Sequence, residues 1–220
     1  LTRFKLIQKL SMKKLLLILV FLNFTSLTLA NNSEPFLKGV KDIVKLNFSH
    51  GRKYEGQVSE CLIQGKQSIC FEGLGIYTFQ TGYRYEGEFK DNNPNGQGVF
   101  SSPDGQYYEG EFKDGKLSGR GVMIYSDGSH YKGEYIDNNR EGYGVMTYSD
   151  GRRYEGEYKD NNREGYGVMT YPDRGMYQEG SQYEGEWKND KRDGQGIMIY
   201  LDDGRRLVGE FRDNVFIGNT

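Results

Sequence analysis

Four pairs of glutamates stand two residues apart in this chain: Glu86 and Glu88, Glu109 and Glu111, Glu155 and Glu157, and Glu184 and Glu186. Paired carboxylates do acid and base work when their surroundings split their pKa values. Here each pair sits in the same context, a tyrosine before it and a glycine between its members, and a pair copied along an exposed row reads as a solvated surface. Other chemistry has less to stand on. Gly65-Lys66-Gln67-Ser68 lacks the spacing of a phosphate cradle, and the recurring Gly-x-Gly has neither a third glycine nor a helix after it to make a dinucleotide fingerprint. No G-x-S-x-G, H-E-x-x-H or EF-hand loop occurs. His50 and His130 are the only histidines, and beside Cys61 and Cys70 no second cysteine pair could complete a tetrahedral zinc site. The expectation is a protein without catalytic residues, metal or cofactor.

The context of those glutamates is a repeat. Tyr-x-Gly occurs at Tyr54 and Gly56, Tyr85 and Gly87, Tyr108 and Gly110, Tyr131 and Gly133, Tyr154 and Gly156, and Tyr183 and Gly185, with a degenerate copy beginning at Leu207. From Tyr85 to Tyr183 a Gly-x-Gly follows each tyrosine after 11 residues, at Gly96, Gly119, Gly142, Gly165 and Gly194. Residues 125–148 and 148–171 differ at only four positions, and the period is 23 residues. The first unit carries eight extra residues between Cys61 and Cys70 and the fifth six more near residue 175, both in turns, where added length costs little. Copies suit an extended uniform surface better than a reaction centre.

Each unit divides into two strands. YEGEYKD alternates, placing Tyr154, Gly156 and Tyr158 on one face and Glu155, Glu157 and Lys159 on the other. NNREG then turns the chain into the β-rich run GVMTY, closed by Ser-Asp-Gly, where Asn and Gly supply positive φ. A glycine between two rings leaves room for a ring of the next hairpin to lie on bare backbone. One hairpin cannot bury its aromatic face alone, so neighbours must stack, and stability becomes a nearest-neighbour sum. Residues 43–49 read as the second strand of a worn preceding unit, giving seven first strands and seven second strands in all.

The N-terminal segment differs in kind. Met12-Lys13-Lys14 leads into LLLILVFL and ends at Ala30 after Thr28, the order of a charged, an apolar and a small-residue cleavage region. Residues 1–30 are expected to be a signal helix starting at Met12 and cleaved after Ala30, with an uncleaved membrane anchor as the alternative. Its removal takes five Lys and Arg and no acid, leaving 24 against 31 acids, about minus seven. That charge excludes nucleic acid, which requires a basic stripe. In an oxidising compartment Cys61 and Cys70 would pair and clip the first hairpin.

The segments YEGEFKDNNPNGQGVF, YEGEFKDGKLSGRGVMIYSDG and YEGEWKNDKRDGQGIMIYLDDG resemble MORN repeats. The resemblance covers about residues 46–218. It implies an all-β fold, an elongated single-layer antiparallel ribbon of stacked hairpins with a Tyr/Gly-lined groove, and a scaffolding, dimerising or membrane-associating role. The expected layout is a signal peptide over 1–30, a linker over 31–42 and a repeat domain over 43–220. The expected function is that of an exported scaffold, in a bacterial periplasm or at a cell surface, binding a protein or envelope component. Tyr107, Tyr143, Tyr166, Arg140 and Arg163 are the candidate contact residues. A membrane-lipid adaptor and a carbohydrate-binding module are the alternatives, the latter because rows of exposed tyrosines stack on sugar rings.

Overall fold

A computed structural model of the chain describes residues 24–29, 37, 42–173 and 180–219. Among these there is no α-helix. Sixteen strands follow one another: β1 (Phe24–Leu29), β2 (Val44–Phe48), β3 (Lys53–Ile63), β4 (Lys66–Thr78), β5 (Arg84–Lys90), β6 (Asn93–Ser101), β7 (Tyr107–Lys113), β8 (Lys116–Ile124), β9 (His130–Ile136), β10 (Asn139–Thr147), β11 (Arg153–Lys159), β12 (Asn162–Tyr171), β13 (Ser181–Lys188), β14 (Lys191–Tyr200), β15 (Arg206–Arg212) and β16 (Val215–Gly218). Sheet order equals chain order, so the fold is one open antiparallel sheet. The chain divides into two compact units, residues 1–103 with 112–115, and residues 104–111 with 116–220.

In the second unit the repeat is most regular. β11 opposes β12 with Tyr154 against Met169 and Gly156 against Gly167, and β12 opposes β13 with Met169 against Tyr183 and Gly167 against Gly185. Tyrosine and methionine therefore alternate along one row and glycines fill the next. The expected use of the glycine holds with one correction. The ring over Gly156 and Gly167 belongs to Tyr154 of the same hairpin, not to the next one. A Cβ on Gly156 would lie 2.6 Å from the Tyr154 hydroxyl, and one on Gly167 2.6 Å from the ring.

In the second unit the aromatic four residues after each repeat tyrosine fills the gap between successive tyrosines. Tyr158 stands edge-on to Tyr131 and Tyr154, each at 5.2 Å, and Trp187 edge-on to Tyr154 and Tyr183, each at 5.3 Å. Such T-shaped pairs match the positive edge of one ring to the negative face of the next. The run continues with Phe211 against Tyr183 and reaches Phe216 on β16. A single-layer sheet thus builds its core from its own side chains.

The tight turns have two residues at positive φ, as at Asp137-Asn138 and Asp160-Asn161, the geometry that matches strand twist. Each also clamps its predecessor. Asn161 accepts the Arg140 N–H through Oδ1 at 2.8 Å and donates its own N–H to the Arg140 carbonyl at 3.1 Å. Asn138 does the same to Leu117, Asp190 to Arg163 and Asn214 to Arg192.

The first unit carries the long β3–β4 hairpin, and Cys61 and Cys70 form the expected disulfide across it. Asn92 of the following turn reaches its base, accepting from the Phe71 N–H and donating to the Cys70 sulfur. The worn half-unit is β2, as expected. Two strands were not anticipated. β16 adds a half-unit, and β1 lies inside the segment expected to be a signal helix, pairing antiparallel with β2. FTSLTL is rich in threonine alternating with apolar residues, a pattern that suits a strand as well as a leader. The rest of that expected helix, residues 1–23 and Ala30, lies outside the described residues. Leu37, within the expected linker, is fully buried against Ile43 and Ile76.

Candidate functional site

The six repeat tyrosines, Tyr54, Tyr85, Tyr108, Tyr131, Tyr154 and Tyr183, are at most 2% exposed. Each donates its hydroxyl to the carbonyl three residues on, as Tyr154 does to Glu157 at 3.0 Å and Tyr183 to Glu186 at 2.9 Å. Burial, reinforced by the Glu111 charge, pushes the Tyr108 hydroxyl up to about 12, and burial takes Tyr183 to about 12 as well. The implied Tyr/Gly groove is therefore filled by the tyrosines that define it, and a ligand would have to displace them.

Arg140 and Arg163 belong to this same face. The Arg140 guanidinium lies over the rings of Tyr131 and Tyr158 at 5.6 and 5.1 Å and donates to the Asn161 carbonyl at 2.7 Å. Arg163 covers Tyr154 and Trp187 at 5.7 and 4.4 Å and bonds Asp190. Arg192 covers Tyr183 and Phe211 in the next unit. All three guanidinium groups have ring faces and turn carbonyls of this chain as partners, which assigns them to packing between repeats.

The opposite face carries the glutamates. The second glutamate of each pair accepts a backbone N–H at the bulge in the following strand: Glu88 from Gln97 at 2.9 Å, Glu157 from Tyr166 at 3.3 Å and Glu186 from Gln195 at 3.1 Å. That carboxylate lies where a Cβ on the first glycine of Gly-x-Gly would be, and Gly165 has a φ of 59° there. So the Gly-x-Gly motif has two separate causes, a carboxylate over its first member and a ring over its second. Nothing in the spacing of the glutamates alone announces this role. The register does, since the bulge leaves one N–H without a ladder partner.

Tyr143 and Tyr166 also lie on this face, at equivalent positions of consecutive repeats, and are 54% and 52% exposed. Neither ring swings freely. Tyr143 donates its hydroxyl to Glu155 Oε1 at 2.6 Å and Tyr166 to Glu184 Oε1 at 2.9 Å, each glutamate on the next first strand. The bond from Tyr143 holds the Glu155 carboxyl below its usual range, with Arg153 adding to the effect, and accepting carboxylates raise both tyrosines. Tyr107 is not in this row. It is half-buried at the start of β7 and bonds Glu109 on its own strand. The structure therefore unites Tyr143 and Tyr166 and separates them from Tyr107, Arg140 and Arg163.

Among the described residues no group of His, Cys, Asp and Glu side chains could hold a metal ion, and no helix is long and apolar enough to cross a membrane. No curated protein sequence is significantly similar to the chain. Among solved structures, the TCP domain of SAS-4 from Drosophila melanogaster, solved with a proline-rich motif of Ana2, is similar at 10% identity and a TM-score of 0.45. The similarity covers 84% of this chain and 96% of that one, and at that score it carries no functional argument. The MORN repeat profile matches residues 85–107, 108–130, 131–152, 154–176 and 183–205, together more than half of the sequence. With the ring-over-glycine hairpins and the 23-residue register, these five matches make the chain a member of the MORN-repeat family.

Proposed function

We propose that the chain is an exported, non-catalytic interaction module that binds a protein of the cell envelope across several repeats, through the face carrying Tyr143 and Tyr166. One observation carries this reading. Two large rings on consecutive repeats are half exposed and pinned by hydrogen bonds, while the tyrosines of the other face are consumed by folding. A ring already ordered loses little freedom on binding, so it suits a contact residue. Export rests on the Met12-Lys13-Lys14 leader pattern, and the Cys61–Cys70 disulfide is consistent with an oxidising compartment. The test is affinity capture from an envelope extract with wild type and with Tyr143→Ser/Tyr166→Ser. The double variant should lose the partner more than either single variant while melting like wild type. Unchanged capture, or capture only by vesicles of anionic lipid, would refute the reading.

A further inference from the structure

The neighbourhood of Tyr143 and Tyr166 is acidic. Glu155 and Glu157 on β11 and Glu184 and Glu186 on β13 flank the rings; of the cations on this face, Arg153 is already paired with Glu155, and Lys132 stands opposite Val145. Each ring leans toward the glutamate of the following repeat, so the two sites are translated copies of one arrangement. They stand two strands apart, about 9.5 Å at ordinary strand spacing. A pinned ring beside carboxylates is chemistry for a guanidinium, which stacks flat on an aromatic face while its N–H fork meets oxygen acceptors. The chain uses the same combination internally, where Arg140 and Arg163 each lie over two rings and bond a turn carbonyl, one repeat apart.

We propose that this face binds an extended, arginine-bearing peptide segment of a partner, with an arginine at every third residue, one per repeat. The spacing selects that register. Three residues of polyproline II make one turn, returning the side chain to the same side after about 9.3 Å, close to the separation of the two rings, whereas two residues advance about 6.2 Å and turn it away. The acidic surroundings select the charge, since they attract a cation and repel an anionic surface, whereas a neutral glycan meets the carboxylates only as hydroxyl acceptors. Lysine fits less well, because its point charge neither stacks flat nor forks.

This inference rests on the reading that the Tyr143 face is the binding face, and the experiment separates the two. Fluorescence anisotropy of the full chain would compare a labelled peptide with arginine at every third position, one of equal length and arginine number with arginine at every second position, and the lysine counterpart of the first. The every-third arginine peptide should bind roughly tenfold tighter than either, the ratio that about 1.4 kcal/mol of register-dependent contact yields. Tyr143→Ser/Tyr166→Ser should abolish the difference without changing the melting temperature. Equal binding of all three peptides, with only a salt dependence in common, would overturn the proposal, as would preferential binding of a cello-oligosaccharide. If peptide binding fails but the double variant still loses its envelope partner, the arginine register is wrong and the binding face stands. If both are unaffected, both fall.

Discussion

Tyr154 and Tyr158 lie on one strand, are both at most 4% exposed, and differ in the fate of the hydroxyl. Tyr154 donates to the Glu157 carbonyl, whereas the Tyr158 oxygen, like that of Tyr135, is buried without a hydrogen-bond partner. The equivalent residues Phe89, Phe112 and Phe211 need none, and Trp187 donates to the Gly167 carbonyl at 3.1 Å. Tyr158→Phe should therefore be neutral or stabilise by up to about 1 kcal/mol, while Tyr154→Phe should cost about 1 kcal/mol, both read from urea unfolding. Alkali should act on the whole inner face. Tyr108 and Tyr183 keep their protons in the folded state until about pH 12, two units above an unfolded tyrosine. Because the folded pKa is the higher one, their contribution is complete below pH 10 and is lost as pH rises from 10 to 12. Tyrosinate absorbance should show an early exposed population and a late one that rises together with loss of the β circular dichroism. A single wave near pH 10 with the sheet intact would contradict this. The two faces were legible from the alternation of Tyr-Glu-Gly-Glu-Tyr, but the bond of Glu157 to the Tyr166 N–H depends on a bulge that alternation cannot reveal.

The inter-repeat clamp belongs to the element scale, and the chain contains its own control. Asn161 pairs reciprocally with Arg140, as Asn92 does with Phe71, but at the turn between them in sequence the pair is Gly115 and Pro94, where only the bond from the Gly115 N–H to the Pro94 carbonyl remains, at 2.9 Å. Proline has no N–H to give, and glycine has no side chain to receive one. Asn161→Gly keeps the left-handed turn and removes the acceptor, so it should cost about 1 kcal/mol. Gly115→Asn should change stability by less than about 0.5 kcal/mol alone, and gain about 1 kcal/mol over additivity when combined with Pro94→Leu. An additive double variant in denaturant titrations would mean the clamp is decorative. The hairpins, their turns and β2 could be read from Asn, Asp and Gly at fixed offsets. β16 was missed because Val215–Gly218 lacks the second half of its repeat, and the first unit's Gly73-Leu74-Gly75 was displaced by the insertion. That insertion nonetheless preserves the rule, since Gln57 takes the glutamate's place and accepts the Leu74 N–H at 3.0 Å.

At the scale of the molecule, the sheet order repeats the chain order and ring contacts join each hairpin to the one beside it, so stability should be a sum over neighbours. Periodicity alone could reveal this, because one hairpin has no other way to bury its tyrosine. It could not reveal which face stays open, since a tyrosine covering its own glycines and one pinned above glutamates are the same letter. The 23-residue unit, carrying one inner tyrosine clasp and one position on the outer face, is the working module. Deleting Tyr131 to Arg153 removes one whole period within the second unit and rejoins strands in their native register. Deleting Tyr131 to Glu141 removes one first strand and its turn and forces the next to pair in the wrong sense. Thermal unfolding followed by circular dichroism of both variants beside wild type is the most direct test. The full-period deletion should melt cooperatively, a few degrees below wild type, and the half-period deletion should lose its cooperative transition; equal stability of the two, or collapse of the full-period variant, would contradict the modular account.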